Sequence, residues 1–186
     1  MDSLPLSRVR AAALATLMCA TLIAPVQAQQ LSWEFDPEAI QALEQAATGA
    51  AAQLLRNAIL QSRGEALRAG VQGVPPRIRA ELRGFYPEAL LDRVRFRVGG
   101  GSDQSLQLNV IRYGERAAIT LVDVVVFADA LDAAANAELW VHELWHVQQF
   151  AQWGVDDFSL RYARDYRSVE AEAEAAAARF LATRRR

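Results

Sequence analysis

Ten residues, Val141-His142-Glu143-Leu144-Trp145-His146-Val147-Gln148-Gln149-Phe150, carry the chemistry of this chain. Residues four apart on a helix lie one above the other, so the imidazoles of His142 and His146 can reach one ion. Two histidine nitrogens at this spacing suit zinc, and the glutamate between them, Glu143, can act as general base on a water. The chain has two histidines in all, and both are in this motif.

A catalytic zinc ion wants three protein ligands and one open position. With no further histidine, and its one cysteine at Cys19, the chain must supply a carboxylate. The alanine-rich run Val169-Glu170-Ala171-Glu172-Ala173-Glu174 offers three. On a helix Glu170 and Glu174 share a face while Glu172 points away. Glu170 is the expected third ligand, with Glu174 as its support or as partner of a free imidazole nitrogen. Glu172 takes the ligand role if the register of that helix is shifted.

Peptide hydrolysis by such a set needs Glu143 to take a proton from water and pass it to the leaving amine. The oxyanion needs a donor besides the ion, and Tyr162, Tyr166 and Arg167 are the candidates.

The elements that must position these groups follow from periodicity. Asp132 reads as the cap of a helix from about 133 to 153, stopped by Gly154. On it His142, His146, Gln149 and Trp153 share one face, and Trp140, Leu144, Val147 and Ala151 form a neighbouring apolar face. A final helix covers 157–186. Ahead of the motif, Ala117–Phe127 is dense in β-branched residues and reads as one buried strand. Strands are also expected over 94–98, which alternates apolar and arginine, and over 106–113, after the turn Gly99-Gly100-Gly101-Ser102-Asp103. Short helices are expected over 76–83 and 87–92. Asp36-Pro37-Glu38 starts an alanine-rich helical region, 37–68, read as two helices or one kinked at Gly49. Val71–Pro76 reads as a linker.

The first 28 residues look like a secretory signal. Arg8 and Arg10 precede an apolar run, Ala11–Ile23, too short to favour a membrane span. Val26-Gln27-Ala28 then offers small residues for cleavage before Gln29. Cys19 would leave with that segment, so the exported chain would carry no disulfide. The segment also takes away Asp2, Arg8 and Arg10, moving the formal charge from −2 to −3. That value suggests no nucleic-acid surface. The expected organisation is a signal over 1–28, a helical segment over 29–72 and a metal-binding domain over 73–186.

The motif HELWH followed by Glu170-x-x-x-Glu174 resembles the gluzincins, zinc metallopeptidases with a glutamate third ligand. In those an acidic residue, commonly Asp, follows the ligand by four positions; here it is Glu174. More narrowly, Pro75–Phe180 is similar to the metallopeptidase-like domain of unknown function numbered 4157. The Pro-Pro-x-Ile-Arg helix, the Val94-Arg95 strand, HELWHVQQ and the late Glu-x-Glu-Ala carry that likeness. It implies a small zincin-like α+β fold with a few-stranded, mostly antiparallel sheet on the motif helix. The implied cofactor is one zinc ion. The implied function is an exported, periplasmic or secreted metallopeptidase acting on a peptide or protein. Two other readings stay open: an inactive zincin-like module that binds peptide or protein in the cell envelope, and zinc-dependent hydrolysis of another envelope amide.

Overall fold

The computed structural model describes residues 37–99 and 117–184. The expected signal, the lead-in at 29–35 and the strand expected over 106–113 lie outside the described residues. Asp36–Arg186 forms one compact unit.

Helix α1 runs unbroken over Pro37–Arg68. Gly49 and Gly64 lie inside it, although each glycine costs about 1 kcal/mol relative to alanine. The surrounding alanines and leucines, with Ala52, Ile59 and Ala66 buried against the rest of the fold, outweigh that cost. The helix stops where Gly70 adopts φ 94°, a left-handed residue that glycine takes without penalty. The expected linker then contains a two-residue strand, β1 (Gln72–Gly73). Two short helices follow, α2 (Pro76–Glu81) with proline in its first turn, and α3 (Glu88–Arg93).

The sheet is completed by β2 (Arg95–Val98), β3 (Ala118–Leu121) and β4 (Val124–Phe127). Its order is β1-β2-β4-β3. The β1–β2 and β3–β4 pairs are antiparallel and the β2–β4 pair is parallel, so the sheet is mixed. The stretch 117–127 is thus a hairpin and not one strand. Leu121 pairs with Val124, leaving Val122 and Asp123 as a two-residue turn. Val122 takes φ 65°, a conformation β-branched residues avoid and two-residue turns usually assign to Gly or Asn. The strain is held from outside: Arg63 of α1 donates to both carboxylate oxygens of Asp123 (2.6 and 3.0 Å).

Alternation along the hairpin separates two cores. Ala118, Val125 and Phe127 face Trp140, Val141 and Leu144. Val124, Val126 and Leu121 face Ala66 of α1. Every residue of β4 is buried, as expected for a strand covered on both faces. The chain is therefore α+β, with helices on both sides of a small mixed sheet.

After β4, α4 (Ala130–Ala135) is capped by Asp129, whose carboxylate accepts from the amides of Leu131 and Asp132. The motif helix begins only at Ala137, where Asn136 Oδ1 accepts from Leu139 N (3.1 Å). Asp132, the expected cap, instead accepts from the Asn136 side chain. The last element, α5 (Ala137–Arg184), has non-helical residues at Gly154 (φ 77°, ψ 168°) and Asp165 (φ −155°, ψ 80°). Trp140, Leu144 and Val147 of the expected apolar face are buried, while Ala151 is exposed.

These two breaks decide what the helix can do. In a straight helix His146 and Glu170, 24 positions apart, would be separated by about 36 Å at 1.5 Å per residue. Gly154 and Asp165 fold the chain back so that their side chains meet. The Gly154 conformation belongs to glycine alone. Gly154→Ala has open space for its methyl group, so its cost is backbone strain of about 1–3 kcal/mol. Chemical denaturation of the variant should show that loss; unchanged stability would mean the break forms without glycine.

Candidate metal centre

His142 and His146 project from one face of the first segment of α5, and Glu170 projects back from its last segment. The two Nε2 atoms are 3.2 Å apart. Glu170 Oε2 lies 3.4 Å from His142 Nε2 and 3.7 Å from His146 Nε2. A tetrahedral ion with bonds of about 2.0–2.1 Å spaces its ligand atoms about 3.3 Å apart, so the three edges fit zinc. Among the described residues this is the one group of three or more such side chains placed to hold an ion.

The donor set makes the same point chemically. Two imidazole nitrogens and a carboxylate oxygen, each able to offer a lone pair, converge on one point, an arrangement that a shared cation would satisfy. Burial pushes the His146 imidazole down, but Glu170 and Glu143, with Gln149, outweigh it and leave its pKa above the ordinary value.

Glu170, His146 and the adjacent Glu143 are each held by a neighbour. Tyr162 donates its hydroxyl to Glu170 Oε1 (2.8 Å), leaving Oε2 turned to the histidines. His146 Nδ1 meets Gln149 Oε1 at 2.7 Å. Glu143, almost fully buried, accepts from the Thr120 hydroxyl of β3 at 2.6 Å through Oε2. Tyr86 pins the helix from behind by donating to the Val141 carbonyl (2.8 Å).

Two cavities meet at this centre. A narrow one of about 100 Å³ is lined by Glu143, His146, Glu170 and Tyr162, with Leu55 and Ile59 of α1 among its apolar walls. A wider one of about 440 Å³ lies on the His142 side and also reaches Glu143. Glu143 thus borders both.

The structure brings His142, Glu143, His146, Glu170 and Tyr162 together. Glu174 lines the wider cavity, and the nitrogen partner of His146 is Gln149 rather than Glu174. Glu172 is turned to Gln149 and Trp145. Tyr166 is about half exposed, Arg167 donates to it, and neither lines the two cavities. Thr120 and the α1 residues went unforeseen. The signal for Thr120 was slight: one polar side chain on the face of a strand that packs against the motif helix.

With this geometry in view, the comparison with known families adds one result. Residues 73–154 match the eCIS core domain. The matched stretch runs from β1 to the Gly154 break, so it holds the HExxH motif but neither α1 nor Glu170. No curated protein and no solved structure matches the chain.

Two substitutions separate the roles of the neighbours. Tyr162→Phe should weaken zinc binding about 10-fold or more, because it frees the ligand carboxylate. Thr120→Val removes a hydrogen bond to a charged group, worth about 1.5–3 kcal/mol, and should lower turnover while leaving zinc content intact. Zinc content by mass spectrometry and turnover on the same preparations distinguish them. Zinc loss in Thr120→Val would contradict the assignment.

Proposed function

We propose that the protein is an exported zinc metallopeptidase with a zincin-like site, and that His142, His146 and Glu170 hold one zinc ion. The observation that carries this reading is the triangle of three converging atoms, two of them on buried residues, with edges of 3.2, 3.4 and 3.7 Å. A glutamate fixed beside it adds the base that hydrolysis needs.

Zinc bound here would polarise a scissile carbonyl and acidify water. The chain's own residues do the rest. Glu143 is held by Thr120 so that its carboxylate keeps one orientation as it takes the proton from the attacking water. The water oxygen joins the carbonyl carbon, the C–N bond breaks, and the proton passes from Glu143 to the amine that leaves. Tyr162 keeps Glu170 in place through this sequence. Tyr162 lines a cavity at the centre while Tyr166 does not. Its one hydroxyl hydrogen is committed to Glu170, so it serves as the support of that carboxylate and not as the donor to the oxyanion.

Export agrees with the secretory character of 1–28. It also agrees with the matched domain, whose name refers to an extracellular contractile injection system. Among the described residues no helix is long and apolar enough to cross a membrane. Peptides or proteins outside the cell, or in the periplasm, are the proposed substrates.

Glu143→Gln is the direct test, because the amide cannot serve as base yet fills the same space. Zinc content should stay at one per chain and cleavage of a peptide library should vanish. Retained cleavage would overturn the mechanism. Peptide binding without cleavage by the wild type, unchanged in the variant, would favour a binding module instead.

A further inference from the structure

We infer that Gln149, anchored by Glu172, is the positioning residue that gives His146 its metal-binding tautomer; this rests on the zinc reading above. Gln149 is buried, 2% exposed, on the turn after His146. Its amide makes three hydrogen bonds. Nε2 donates to Glu172 Oε2 (2.9 Å) and to the Val169 carbonyl (3.2 Å), and Oε1 meets His146 Nδ1 at 2.7 Å.

The directions of these bonds follow from the partners. A carboxylate and a carbonyl both accept, so the NH2 group must lie on their side. The amide oxygen is thereby turned to the imidazole, where only an N–H satisfies it. Neutral His146 therefore carries its hydrogen on Nδ1 and presents the Nε2 lone pair to His142 and Glu170. Glu172 acts one step further out, holding the amide against a flip that would place NH2 against the ring.

The same amide joins two parts of the site that are remote in sequence. Val169 precedes Glu170, so the bond to its carbonyl ties the backbone of the third donor to the helix of the two histidines. Glu174, one turn beyond Glu170, stands in the wider cavity and is not a partner of His146 Nδ1. Gln149 thus sets the tautomer of one donor and the position of another, without touching substrate.

Leucine at 149 keeps the bulk but offers neither acceptor nor donor. Glutamine at 172 can still accept from the Gln149 amide through its own oxygen, whereas leucine there cannot. The experiment is zinc titration of the metal-free protein against a competing chromophoric chelator. Gln149→Leu should bind zinc about 10- to 100-fold more weakly than wild type. Glu172→Leu should weaken binding by a smaller factor with an unchanged melting temperature for the metal-free form. Glu172→Gln should match wild type. Should Gln149→Leu fail to fold, the exposed position 172 decides, since its substitution leaves the core intact. Wild-type affinity in both leucine variants overturns this inference alone. A wild-type protein that binds no zinc overturns the zinc reading, and this inference with it.

Discussion

Three atoms able to offer lone pairs, from His142, His146 and Glu170, converge within 3.7 Å in a mostly buried setting, a placement that a shared cation stabilises. A proton can serve, and the upward displacement of His146 reflects it. A divalent ion serves all three at once. The surrounding hydrogen bonds suit the second case: each aims one specific atom inward by binding the other. Tyr162 takes Glu170 Oε1 and leaves Oε2; Gln149 takes His146 Nδ1 and leaves Nε2. A protein using these residues only as packing would gain nothing from such selectivity.

The rest of the fold serves this convergence. The motif helix is fixed by Trp140 and Leu144 in the core and by Tyr86 behind it. The chain then turns at Gly154 and Asp165, and the stacked rings of Phe150, Phe158 and Tyr162 pack inside the bend. Helix α1 lies across the opposite side of the sheet and meets both the hairpin and α5. Arg63 grips Asp123, Arg56 pairs with Asp156, and Ile59 joins Phe150, Phe158 and Val169 in one cluster. The exposed pair contributes little on its own, so the apolar cluster supplies most of the hold. Through Leu55 and Ile59, α1 becomes a wall of the narrow cavity and hence part of the site.

Much of the site was legible because its chemistry is local. Histidines four apart on a helix must share a face, and the scarcity of other ligands left carboxylates near 170 to complete the set. The fold-back that unites them was only half legible: Gly154 read as the end of a helix, though the chain resumes helical geometry at the next residue. The hairpin at 122–123 escaped notice because Val122 occupies a left-handed position where turn chemistry favours Gly or Asn. Gly49 read as a break, yet packing along α1 outweighed its propensity. Thr120 and Leu55 are set in the site by tertiary contacts that no local pattern encodes. The same holds for Gln149: its face was readable, but its two partners at 169 and 172 come from beyond the bend.

The central claim is that one ion sits among two imidazoles and one carboxylate. X-ray absorption at the zinc edge of the purified, zinc-loaded protein tests it most directly. The account predicts a four-coordinate shell of nitrogen and oxygen at about 2.0–2.1 Å, with the outer-shell scattering of two imidazoles. That imidazole signal should vanish in the double variant His142→Ala/His146→Ala. No zinc retained by the wild type, or a shell without imidazole scattering, would contradict the account.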